Sequence, residues 1–98
     1  MSRDYRAALA ASNVPEHLHD GLLLYLEHGI APGSFLLAVL TNDLLGAVKH
    51  GDADCQAHLA DLVRFLYQHA PMGAWVTREN VDAWMDEHRA RRAAAVAS

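Results

Sequence analysis

Cysteine occurs once in the 98 residues, at Cys55, so no intramolecular disulfide can form and a reducing cytosol is the expected compartment. Long apolar runs are missing as well. The two longest, Leu22 to Leu26 and Phe35 to Leu40, fall far short of the roughly 20 residues that a membrane span takes. Met1 to Arg6 leads into no apolar stretch of the kind that forms a signal peptide. Glycine-rich phosphate loops are absent, and so is the Gly-x-Ser-x-Gly turn that would make Ser34 a nucleophile. No pair of carboxylates has a spacing that suits acid–base chemistry, so no catalytic residue and no enzymatic activity are expected. No stretch alternates polar and apolar residues as a half-buried strand does, and no internal repeat is visible. Basic charge is scarce where it would matter. Between Glu16 and Glu87 only Lys49, Arg64 and Arg78 oppose the acids, while Arg3, Arg6, Arg89, Arg91 and Arg92 sit at the ends. An acidic body with a net charge of -4 repels phosphate backbones, so direct nucleic-acid binding is not expected.

What is present is a helical pattern. Apolar residues make up 52% and charged residues 20% of the chain, which places it among globular rather than disordered proteins. The length suits one core, hence a single helical domain over 1–98. An alanine-rich start, about 1–12, reads as a short helix capped by Ser2. Pro15 suits the first turn of a second helix, about 15–28, with Leu18, Leu22, Tyr25 and Leu26 on one face and Gly29 as its stop. After the Ile30-Ala31-Pro32-Gly33 turn and the cap at Ser34, an apolar band from Phe35 through Leu44, Leu45 and Val48 predicts a central core helix over about 34–49. Asp52 or Asp54 caps a third major helix, with Cys55, Leu59, Leu62, Val63, Leu66 and Tyr67 facing inward, and Pro71 ends it at Ala70. Thr77 caps the last, carrying Val81, Trp84, Met85 and His88, and the tail 93–98 is expected to fray. The expected fold is all-α: a compact bundle of four to five short helices around the central apolar helix.

Few residues are candidates for chemistry. Seven histidines invite a metal hypothesis, but His17 and His19 fall on different helix faces, and His50, Cys55 and His58 supply three ligands without a fourth. Cys55 therefore reads as a small buried apolar residue with surface histidines nearby, and neither a metal nor another cofactor is expected. Asn42 and Asp43 interrupt the apolar helix; they lie on its solvent face, or Asp43 caps or pairs with a neighbouring element such as Arg64, or they form a recognition patch. Trp84 follows the helical stripe into the core, whereas Trp75, in a loop, suits a core position and an interface anchor equally.

The string Tyr25-Leu26-Glu27-His28-Gly29-Ile30-Ala31-Pro32-Gly33-Ser34-Phe35-Leu36, followed by Ala38-Val39-Leu40-Thr41-Asn42-Asp43-Leu44, resembles a family of small phage and prophage proteins. Val63-Arg64-Phe65-Leu66-Tyr67, Ala70-Pro71 and the stretch from Trp75 to Trp84 extend the resemblance over roughly residues 17–85, with Ala31-Pro32-Gly33 where the family usually has Pro-Pro-Gly. The resemblance implies a bacterial host cytoplasm and, among small acidic phage proteins, an inhibitor of host defence of the anti-CRISPR kind. Such a protein binds a host defence complex, such as a CRISPR effector subunit, stoichiometrically, and Asn42, Asp43, Trp75, Asp52 and Asp54 are then the candidate contacts. Two other expectations stand beside it. One is a phage structural or regulatory module that self-associates as a homodimer through the apolar central helix; the other is a small metal-binding protein using the His/Cys set.

Overall fold

The computed structural model describes residues 4–97, and these form an all-helical globule without a strand among them. Seven α-helices follow one another: α1 Tyr5–Ala10, α2 His19–His28, α3 Ser34–Leu40, α4 Leu44–His50, α5 Ala53–Ala57, α6 Leu59–His69 and α7 Arg78–Ala97. Short 3-10 turns at Glu16–Leu18 and Met72–Ala74 lead into α2 and α7. No helix among the described residues is long and apolar enough to cross a membrane.

Helices α1, α4, α5 and α7 begin where a side chain accepts from a free amide, whereas α2, α3 and α6 begin without one. At α3 the expected cap Ser34 is the first helical residue, and Gly33, which has no side chain to offer, stands at the cap position. The Asp4 carboxylate accepts from the Ala7 amide at 3.0 Å and caps α1; Ser2, the expected cap, lies outside the described residues. α2 buries the expected Leu18, Leu22, Tyr25 and Leu26. Gly29 closes it in the left-handed conformation, at φ 66°, and its amide donates to the Tyr25 carbonyl at 2.8 Å. The last helix starts at Thr77, whose hydroxyl accepts from the Asn80 amide.

The stretch expected as one central helix is two. Thr41 folds its hydroxyl back onto the Leu37 carbonyl at 2.8 Å, and Asn42 turns left-handed at φ 62°. The amides of Asn42 and Asp43 then return to the carbonyls of Val39 and Ala38, the paired bonds of a Schellman stop. Asp43 restarts the chain by accepting from the Gly46 amide at 3.0 Å, so one polar tripeptide ends α3 and caps α4. Only α3 is a core helix, burying Phe35, Leu36, Ala38, Val39 and Leu40. Leu44, Leu45 and Val48, assigned to the core by the sequence pattern, face solvent.

The third expected helix is likewise divided, at His58, where ψ swings to 18°. Asp52 caps α5 through the Cys55 amide at 2.8 Å. Within α6 the core lies on the side of Leu62, Phe65 and Leu66, so Val63 and Tyr67, each one residue further round the helix, are exposed, reversing the inward assignment of those two. The largest fully buried side chains come from α1, α2, α3, α6 and α7, namely Leu9, Leu22, Tyr25, Leu40, Leu62, Leu66 and Val81. Residues 93–97, expected to fray, continue α7 as helix, which their run of alanine favours.

Gly29 also meets α7: a Cβ at that position would stand 2.4 Å from His88 Cβ, while the His88 ring packs on Trp84 with centroids 4.7 Å apart. Gly29→Ala therefore carries both a left-handed backbone penalty of roughly 1–2 kcal/mol and a clash that pushes α7 outward. Chemical denaturation is expected to show a loss of at least that size, and an unchanged midpoint would mean that α7 does not dock here.

Candidate interaction surface

The α3–α4 break places a row of apolar side chains on the surface. On α4, Leu44 and Val48 lie one turn apart with Leu45 three residues before Val48, and their exposures are 68%, 48% and 77%. On α6, Val63 and Tyr67 are one turn apart and 40% and 73% exposed. The two helices meet at a shallow cleft of about 60 Å³, lined by Val39, Asn42, Asp43, Leu44, Ala47, Leu59 and Val63. Leu44 and Val63 line the cleft together, and the exposed Leu45, Val48 and Tyr67 lie on the same two helices. Single exposed apolar residues are ordinary on a protein surface, whereas a large apolar patch marks an interaction site.

The five residues expected to make contacts fall into three places. Asn42 and Asp43 stand together at the mouth of this cleft, both exposed, with Asp43 already engaged as the α4 cap. Asp52 and Asp54 lie in the α5 cap region, exposed and outside the cleft lining. Trp75 is elsewhere: its indole is buried, 8% accessible, so the ring belongs to the core and offers no surface anchor. The apolar contacts Leu44, Leu45, Val48, Val63 and Tyr67 were missed because each fits a helical stripe that reads as core; the α3–α4 break turns the three on α4 outward, and on α6 only the side of Leu62, Phe65 and Leu66 meets the core.

Around Trp75 the packing is polar and specific. The buried Tyr25 hydroxyl donates to the Ala74 carbonyl, and burial pushes the Tyr25 pKa far above its ordinary value. The Trp84 indole donates to the Tyr25 carbonyl at 3.0 Å, and Asn80 donates to the Trp75 carbonyl at 3.0 Å. Trp75 Nε1 is buried and has no acceptor among the described residues. Phenylalanine substitutions at the two positions should therefore differ. Tyr25→Phe strips the Ala74 carbonyl of its donor and is expected to cost about 1–3 kcal/mol, whereas Trp75→Phe removes an unsatisfied donor and should cost clearly less. Paired denaturation curves decide the order, and the reverse order would contradict this assignment.

The histidines are spread through the fold. His58 Nδ1 contacts the Asp61 carboxylate at 3.0 Å, and Arg64 donates to the same group at 3.2 Å. The His58 hydrogen bond holds the Asp61 carboxyl below its ordinary pKa. His50 and His58 do not join Cys55 in a ligand group; Cys55 is buried, as expected, and its Sγ lies 3.5 Å from His17 Nε2. His19 Nε2 is at 2.9 Å from the Val14 carbonyl.

A depressed Asp61 pKa means that the unfolded chain binds the proton more tightly than the folded one. Its contribution is present above the ordinary aspartate value of about 4 and is lost as pH falls through the lower folded value. Thermal melts across that acidic range are expected to fall less steeply for Asp61→Asn than for the wild type.

No protein-family model matches the chain, and no curated protein or solved structure was found to be similar to it.

Proposed function

We propose that this protein acts by binding another protein through the apolar face of α4 and α6, without catalysis. The single observation that carries the reading is the exposure of Leu44, Leu45, Val48, Val63 and Tyr67 on two adjoining helices. Burying such side chains at an interface draws on the same transfer of apolar surface from water that forms a core, about 25 cal/mol per Å². Tyr67 supplies the large amphipathic ring that interfaces favour, and Asn42 and Asp43 at the cleft mouth supply polar contacts at its edge.

The charge balance favours a partner of a different kind over a second copy. Asp43 borders the cleft and the chain carries a net charge of -4, so a basic surface around an apolar patch complements it, whereas two copies would bring like charges together. In the setting implied by the resemblance to phage proteins, the partner is a subunit of a host defence complex such as a CRISPR effector. Such complexes carry basic surfaces for nucleic acid, and an acidic protein seated there would inhibit by occupancy.

Leu45→Glu places a charge in the middle of the face at a position 77% exposed. Its effect on folding is expected to stay within roughly 0.5 kcal/mol. Stoichiometric capture of a defence-complex subunit from bacterial lysate by the wild type should weaken at least tenfold, which corresponds to about 1.4 kcal/mol. Equal capture by both forms would discard this face. A concentration-dependent dimer mass abolished by Leu45→Glu would assign the face to self-association instead.

A further inference from the structure

One cluster lies outside the apolar face and is independent of it. His17 comes from the 3-10 turn before α2, and Asp52 and Cys55 from the cap and first turn of α5, with Cys55 38 residues further along the chain. Their ligand atoms all lie within 4.8 Å of one another. His17 Nε2 is 3.5 Å from Cys55 Sγ and 3.7 Å from Asp52 Oδ2. We propose that His17 Nε2, Asp52 Oδ2 and Cys55 Sγ form a zinc site with a fourth position open to water.

Two of the distances lie near the ion's own geometry. With Zn–S about 2.3 Å and Zn–N or Zn–O about 2.0–2.1 Å, tetrahedral ligands stand roughly 3.5–3.6 Å apart for a sulfur–nitrogen pair and roughly 3.3–3.4 Å apart for a nitrogen–oxygen pair. The His17–Cys55 separation of 3.5 Å meets that value, and the His17–Asp52 separation of 3.7 Å exceeds it by about 0.3–0.4 Å, which rotation of the exposed His17 and Asp52 side chains would close. A thiolate beside an imidazole selects zinc over the oxygen-seeking magnesium and calcium.

The surroundings orient the set. Asp52 Oδ1 accepts from the Cys55 amide at 2.8 Å, which fixes the carboxylate and directs its other oxygen toward His17. The His17 and Asp52 side chains are 49% and 64% exposed, so an ion has a path in, while Cys55 is buried and its thiol is held in place by the helix. His19 and His58 are engaged elsewhere, by the Val14 carbonyl and by Asp61, and leave the three ligands without a competing histidine at hand. A bound ion would tie the start of α2 to the α5 cap. It would make thermal stability depend on free zinc, since a ligand that binds only the folded state stabilises it.

The test uses the full chain without a histidine tag, stripped with chelator and titrated with zinc against a chromophoric competitor. Cobalt is added in a parallel series. One equivalent of zinc should bind and raise the melting temperature, and cobalt should show a thiolate charge-transfer band. Cys55→Ser should abolish the band, and both Cys55→Ser and His17→Gln should weaken zinc binding at least tenfold, with His50→Gln and His58→Gln leaving it unchanged. His17 is half exposed, so His17→Gln remains informative even if a change at buried Cys55 disturbs folding; metal-free melts establish this. Absence of the band in the wild type, undiminished binding in His17→Gln, or loss of binding in the His50 or His58 variants would overturn the site.

Discussion

The segment from Ala74 to Val76 is where the fold is held together, and the holding is done by hydrogen bonds in an apolar interior. Tyr25 donates its hydroxyl to the Ala74 carbonyl, Trp84 donates its indole to the Tyr25 carbonyl, and the Val76 amide reaches the Leu40 carbonyl at 2.8 Å. Helices α2, α3 and α7 are thereby fastened to one short loop. Polar groups buried among apolar side chains lose several kcal/mol if left without partners, so these bonds dictate a single arrangement where packing alone would tolerate several. Val76 shows how strongly the loop is constrained: a β-branched residue at φ 87° costs on the order of 1–3 kcal/mol and persists only because its neighbours over-determine it.

Docking of α7 depends on that loop more than on its own apolar content. Val81 is its one fully buried residue, with Trp84 and Met85 partly buried against the core. Beyond them the contacts with α2 are local: His88 lies over Gly29, and Arg92 donates to the His28 carbonyl. From Ala93 to Val96 the helix is exposed, sustained by alanine propensity and backbone hydrogen bonding rather than by packing.

The α3–α4 break and the α4–α5 junction each bear on chemistry. At Thr41-Asn42-Asp43 the break turns α4 so that leucines leave the core and join Val63 and Tyr67 on the surface. At Gly51-Asp52 the new cap sets Asp52 and Cys55 against a histidine from the first third of the chain. In both, an aspartate that caps a helix also stands at a place of possible recognition. The cap bond fixes the carboxylate at no further conformational cost, which is what a binding group needs.

The sequence by itself made legible the helical class, a cap at Asp52 or Asp54 (Asp52 in the structure), the cap at Thr77, the stop at Gly29 and the burial of Leu22, Tyr25, Leu26, Cys55 and Val81. Each of these follows from local chemistry: a side chain that bonds a nearby amide, a residue without a Cβ, or a period of three to four. It also marked Asn42-Asp43 as anomalous, without revealing that the pair ends one helix and starts another. Tertiary structure alone decided the inward or outward sense of Leu44, Leu45, Val48, Val63 and Tyr67: the break at Thr41-Asn42-Asp43 shifts the phase of α4, and packing picks which edge of the broad apolar stripe on α6 meets the core. It alone settled Trp75 in the core and brought His17 to Cys55, since contacts between distant residues arise only when the whole core closes.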